Sequence, residues 1–222
     1  MGNSSLATYR RISPSRTSPR NHEIDTITIH CTAGQCTAQE CADFLSNGSR
    51  QASANYCVGK DGSIAVSVDE NDRSWCSSNA ENDNRAITIE VSSDSTEPYS
   101  VTTEAYAALI KLLVDICERN HIDKLVWSED KNSRVNHVNG CNMTVHRDYA
   151  AKACPGTYLY ENMWEIATAV NHYLGVYTPK QDVVNPPVYT VQVGAFTNKD
   201  NAYKLRDVLK ALGYNDVFVQ TK

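Results

Sequence analysis

Three residues of this 222-residue chain carry side chains suited to a borderline-soft divalent cation: His30, His146 and Cys154. Zinc accepts imidazole nitrogen and cysteine sulfur, and a catalytic zinc typically has three protein ligands and one position left open for water. A water bound in that position has its pKa lowered to about 7, so it can attack an amide carbonyl near neutral pH. Two neutral imidazoles and one thiolate leave the ion a weaker Lewis acid than three imidazoles would, and neighbouring groups must then assist with proton transfer and charge. By itself the spacing His146-x7-Cys154 fits a satisfied buried histidine and an inert thiol better than a ligand pair. What favours chemistry is the position of these groups at strand ends and in a loop, where a cleft can form.

The elements that would position them follow from periodicity. Thr26-Ile-Thr-Ile-His30 alternates, putting Ile27 and Ile29 on one strand face and Thr26, Thr28 and His30 on the other. Ala86-Ile-Thr-Ile-Glu-Val91 repeats the device, with Thr88 and Glu90 opposite the apolar set. If both strands share one sheet with the isoleucines buried, His30 and Glu90 emerge on the same surface. The other reading of Glu90 is a solvated carboxylate on the open face of a sheet.

Between these strands, Thr37-Ala-Gln-Glu40 forms a capping box opening a helix to Leu45, because hydroxyl and carboxylate each satisfy a free backbone N–H. Strands at 55–58 and 63–68 are joined by Gly59-Lys-Asp-Gly62, a hairpin signal. An apolar stripe of Tyr106, Leu109, Ile110, Leu113, Val114 and Cys117 predicts a helix over 103–119. A second helix is expected over 158–174, stopped by Gly175. Strands interleaved with helices make an α/β domain.

Composition narrows the function classes. Residues 26–180 hold 12 Lys and Arg against 20 Asp and Glu, an acidic body that argues against nucleic acid as a partner. No apolar run approaches the roughly 18 residues of a membrane span. Eight cysteines without a Cys-x-x-Cys pair suggest neither a zinc ribbon nor a disulfide scaffold. Arg10 and Arg11 lead into Ile-Ser-Pro-Ser-Arg rather than an apolar stretch, so no export signal is read there, and thiols free at synthesis in a reducing cytoplasm are expected. The first 25 residues, rich in Ser, Arg and Pro, read as a solvated arm. The domain organisation expected is an arm over 1–21, a catalytic domain over 22–175, a proline-containing linker over 176–187 and a small βαβ unit over 188–222.

The segments Thr26-Ile-Thr-Ile-His-Cys-Thr-Ala-Gly34, Asn55-Tyr-Cys-Val-Gly-Lys-Asp-Gly62, Asn84-Arg-Ala-Ile-Thr-Ile-Glu90 and His146-Arg-Asp to Cys154-Pro-Gly156 together resemble the zinc-dependent N-acetylmuramoyl-L-alanine amidases of type 2. That family includes phage endolysins and is related to peptidoglycan recognition proteins. The resemblance covers about residues 22–174, with the four motifs in the family's order. It implies a mixed central sheet flanked by helices, with Zn2+ in a groove on one face. It makes His30, His146 and Cys154 the metal ligands, Glu90 the acid/base carboxylate, and Lys152 and Tyr56 groups lining the reaction centre. Read without it, Tyr56 is a core tyrosine and Lys152 a surface lysine. Many members carry a histidine after the tryptophan where this chain has Trp75-Cys76, which leaves the local substrate contacts open.

The tail, through Tyr189-Thr-Val-Gln-Val-Gly-Ala-Phe196 and a helix bearing Ala202, Leu205 and Leu209, resembles one half of the sporulation-related (SPOR) peptidoglycan-binding repeat. A single βαβ copy suggests a homodimer through swapped halves, or a chain cut short. The resemblance implies a hydrolase of bacterial peptidoglycan, acting on glycan strand and stem peptide at the amide between N-acetylmuramic acid and L-alanine. The reading adopted is a phage or prophage endolysin, held in the cytoplasm until host lysis and then acting on the wall. The alternatives are a resident autolysin, a non-catalytic recognition module that keeps the groove without the zinc, and a structural zinc protein with Cys31 or Cys141 as fourth ligand.

Overall fold

The computed structural model describes residues 2–176, 192–211 and 217–219. They fall into two units, Met1–Pro179 and Lys180–Lys222. The first is built on a six-stranded sheet of β1 (Tyr9–Arg10), β3 (Thr26–Cys31), β4 (Tyr56–Val58), β5 (Ile64–Val66), β7 (Ala86–Val91) and β8 (Met143–Val145), in the order β1-β5-β4-β7-β3-β8. β4 and β5 are the expected antiparallel hairpin and the other pairs are parallel, so the sheet is mixed. β2 (Arg16–Thr17) and β6 (Arg73–Ser74) form a separate antiparallel ribbon. Helices of this unit are α1 (Ala38–Leu45), α2 (Ala80–Arg85), α3 (Thr103–Arg119), α4 (Lys131–Val135), α5 (Gly156–Glu161) and α6 (Met163–Tyr173).

The isoleucine face of β3 and β7 is the core. Ile27, Ile29, Ile87 and Ile89 are fully buried with Leu109, Leu112, Leu113 and Ile116 of α3 and Ile166 and Val170 of α6. The opposite face is covered too. α1, opened by the capping box of Thr37 and Glu40, lays Ala38, Cys41, Ala42 and Leu45 on Cys57 and Ala65. Beside it α2 lies over the threonines, whose hydroxyls are satisfied in a buried ladder. Thr28 Oγ1 lies 2.8 Å from Thr144 Oγ1, Asn82 Nδ2 donates to Thr28 Oγ1 at 3.0 Å, and Ser74 Oγ lies 2.7 Å from Thr88 Oγ1. Buried hydroxyls persist only when paired in this way.

Two expectations change. The helix predicted over 158–174 is broken at Asn162, whose side-chain amide donates to the Tyr158 carbonyl at 2.8 Å and separates α5 from α6. The N-terminal arm does not extend free into solvent but is tied to the sheet. Thr8 and Arg11 amides donate to Ile64 and Val66 carbonyls along β5, and Ser4, Ser13 and Ser15 are buried. The Arg20 guanidinium donates to the carbonyls of Glu70, Asn84, Ala86 and Asp72 at 2.6–3.1 Å. Anchorage by backbone hydrogen bonds and polar pairs leaves no hydrophobic period to read. Arg20→Met is therefore expected to lower stability by about 1.5–3 kcal/mol, since it strands carbonyls bonded to a charged donor. Urea midpoints test this, and an unchanged midpoint would contradict the anchoring role.

In the second unit α7 (Lys199–Ala211) is the helix expected after Asn198. Val193, Phe196, Val208 and Phe218 are exposed. Residues 188–191 of the strand expected at 188–193 and most of the linker lie outside the described residues, as does the end of the strand expected at 217–220. The described parts, 192–193 and 217–219, are not in strands. The homodimer expected from paired halves therefore rests on segments that are largely not described.

Candidate active site

β3 and β7 run parallel with His30 directly beside Glu90. The period-2 alternation that buries the isoleucines sends both side chains to the opposite face of the sheet, the one α1 and α2 cover. β8 flanks β3 on its other side, pairing Val145 with Ile29. The chain leaves β8 through a single 3-10 turn, 146–148, which brings His146 next to His30 with ring centroids 5.0 Å apart. That turn is held by Asp148, which accepts from the Val145 amide at 3.1 Å and from the buried Arg134 guanidinium at 2.6 and 3.0 Å. The loop then returns, with the Arg147 amide donating to the Cys154 carbonyl at 3.2 Å. Cys154 Sγ comes to 3.4 Å from His30 Nδ1 and accepts from the Cys31 amide, also at 3.4 Å.

One ligating atom each from His30, His146 and Cys154 lies within 4.8 Å of the other two. Ligands on a tetrahedral zinc sit about 3.3–3.8 Å apart, given metal–ligand distances of about 2.0–2.3 Å, so modest closure completes a cradle. Its chemistry fits a cation. His30 is wholly buried, and that burial, reinforced by the His146 ring, lowers its imidazole to about 3 and keeps it neutral. His146 is lowered by burial and by the Lys152 charge. The Cys154 thiol is raised by its neighbour Cys31 and by burial, a state that a bound cation would reverse by taking the thiolate. Neither Cys31 nor Cys141 joins this group among the described residues, so the closed four-ligand set of a structural zinc site is not assembled.

Glu90 is no solvated carboxylate. Its Oε2 is buried with no hydrogen-bond partner, and burial pushes the carboxyl up to about 8. Lys152 remains exposed on the loop between His146 and Cys154, close enough to depress His146. Tyr56 is a correction. It pairs with Ile89, on the core side of the sheet, while Cys57 is the residue beside Glu90. The Tyr56 hydroxyl donates to Glu70 at 2.5 Å and accepts from the Ser4 amide at 2.7 Å, so it anchors the arm and does not line the centre. One residue of register separates the two roles. Trp75 donates its indole N–H to Thr17 across the β2–β6 ribbon at 3.0 Å.

Sequence reasoning missed several residues here. Ser78, in a left-handed conformation, brings its hydroxyl to 3.3 Å from His146 Nε2. Asp83 accepts the Cys76 and Ser77 amides at 3.0–3.2 Å and fixes the loop that carries them. Asn82 bonds Thr28, Thr144 and the Tyr149 hydroxyl, tying α2 to the turn of His146. The only local signal was the Asn79 cap of a short polar helix.

A His–His–Cys set of ligating atoms beside a buried carboxylate, at the strand ends of a mixed sheet, suits metal-assisted hydrolysis by an α/β domain. The profile of the N-acetylmuramoyl-L-alanine amidase family matches residues 20–157, well over half of the chain, and that of the SPOR domain matches residues 185–222. The chain belongs to the N-acetylmuramoyl-L-alanine amidase family, and is a peptidoglycan amidase. Solved structures with the same fold include the catalytic domain of XlyA, at 17% identity over 73% of this chain and 97% of that one, with a TM-score of 0.54. A mutant endolysin from Bacillus subtilis matches at 18% identity over 73% and 97%, with a TM-score of 0.54. A selenomethionine derivative of AmpD matches at 18% over 74% and 96%, with a TM-score of 0.53. No curated protein sequence matches significantly.

Proposed function

We propose that the cation is Zn2+, held by His30, His146 and Cys154, and that the bond cut joins the lactyl group of N-acetylmuramic acid to L-alanine. The observation that carries this is the register of His30 against Glu90, which brings an unpartnered carboxylate beside a three-ligand cradle. Zinc bound there would polarise the amide and acidify water. Glu90 takes the proton of the attacking water on Oε2 and returns it to the departing alanine nitrogen. Its carboxyl pKa, raised by burial to about 8, lies close to neutral pH, which suits a group that both accepts and donates. Lys152 turns its ammonium toward the oxyanion that develops on the lactyl carbonyl. Tyr56 has no part in this chemistry.

Digestion of purified walls tests the reading. Mass spectrometry is expected to find stem peptides with a free L-alanine amino terminus, lost on chelation and restored by Zn2+. Fragments cut at another amide, or cleavage indifferent to chelator, would overturn it. A recognition module would release nothing.

The endolysin reading draws on the cysteines: all eight are unpaired, as suits a protein stored in a reducing compartment. Thiol titration of the freshly isolated, denatured, metal-free chain is expected to find all of them reduced. Paired cysteines would favour a secreted autolysin.

A further inference from the structure

A second set of ligating atoms lies beside the first. One atom each from His30, Cys76 and Glu90 lies within 4.8 Å of the other two. Two members of the set have buried atoms without partners, His30 Nε2 and Glu90 Oε2, and His30 is entirely shielded from solvent. A buried polar atom left unpaired costs about 1–3 kcal/mol, so an occupant that satisfies both is favoured. The third member is held rigidly, because the Asp83 carboxylate accepts the Cys76 amide at 3.0 Å and the following Ser77 amide at 3.1 and 3.2 Å.

We propose that His30, Cys76 and Glu90 form a second cation site, which takes a thiophilic divalent ion such as Zn2+ and inhibits the enzyme by occupying Glu90. The proposal rests on the zinc reading of the first site. The donors are one nitrogen, one sulfur and one carboxylate oxygen, all within the zinc repertoire. His30 serves both sets because its ring nitrogens diverge. Nδ1 faces Cys154 at 3.4 Å, and Nε2 is the unpartnered atom. Binding displaces to the buffer the Cys76 thiol proton, the remaining ring N–H proton and the proton that the buried Glu90 carboxyl holds near neutral pH, and the bridging imidazolate carries a negative charge shared by the two cations. Thiolate and carboxylate then neutralise the ion's two charges. Two cations on one ring repel each other, so the second binds more weakly and matters only when the metal is in excess. The ion removes the carboxylate that moves protons during hydrolysis, so turnover falls as it is taken up.

The test uses the full chain, stripped of metal, dialysed against excess Zn2+ and analysed for metal content. The wild type is expected to hold about two equivalents per chain, and Cys76→Ser and Glu90→Gln about one each. Titration with Cd2+ should raise the thiolate-to-cadmium absorption in two steps in the wild type and in one step in Cys76→Ser. A wild type that saturates at one equivalent, or a Cys76→Ser variant that still takes up two, overturns the second site. A Cys154→Ser variant that binds as much zinc as the wild type overturns the first site instead, so the two failures are distinguishable.

Discussion

Glu90→Gln is expected to lower kcat by about 10²- to 10⁴-fold, the usual contribution of a positioned general acid–base group, while the first equivalent of zinc stays bound. The substitution is nearly isosteric, and Glu90 is not one of the His30, His146 and Cys154 set. β7 is buried except at the partly exposed Glu90 and pairs β3 through six residues, so the backbone has no reason to move. What is lost is the ability to hold a proton at one step and release it at the next. Release of free amino groups from purified walls gives the rate, and metal analysis gives the occupancy. Full turnover in this variant would remove Glu90 from the mechanism. Loss of the first equivalent of zinc along with activity would recast it as a ligand of the catalytic ion.

Arg134→Ala is expected to destabilise the catalytic unit by about 3–5 kcal/mol, the cost of stranding one partner of a buried ion pair. Arg134 and Asp148 have side chains 2% and 1% exposed. The guanidinium makes both of its carboxylate bonds in a fork, donates to the carbonyls of Ser128 and Glu129 at 2.7 and 3.0 Å, and lies 4.3 Å from the centroid of Trp127. Among the described residues Arg134 is the only cation in a salt bridge with Asp148, and a lysine at 134 could not restore the fork. Asp148 also holds the turn that presents His146, so zinc affinity should fall with stability. Denaturant unfolding of the metal-free chain isolates the first effect, and competition with a chelator measures the second. A loss below about 1 kcal/mol would mean that the pair is dispensable, as exposed pairs are.

Much of this molecule is legible in its order of residues. The Thr37 capping box, the helix over 103–119 and the strand over 86–91 appear as written, because each depends on neighbours within a few positions. Alternation alone put His30 and Glu90 on a common face. The four family motifs then pointed to the amidase. The arm was misread because its anchors are hydrogen bonds to β5 and to loop carbonyls distant in sequence, which leave no periodic trace. Tyr56 was misassigned because a motif marks a segment, while the face on which a strand residue falls depends on register against its partners.

Local elements, ligand types and family are thus written in the order of residues. Which of those groups meet emerges only in three dimensions: Cys154 with His30 across 124 positions, Arg134 with Asp148 beneath His146, and Cys76 rather than Tyr56 beside Glu90. The physical reason is one of range. Caps, turns and periodicity act over a few residues, whereas a site is made by side chains that parallel strand pairing and loop return bring within a few ångströms of one another.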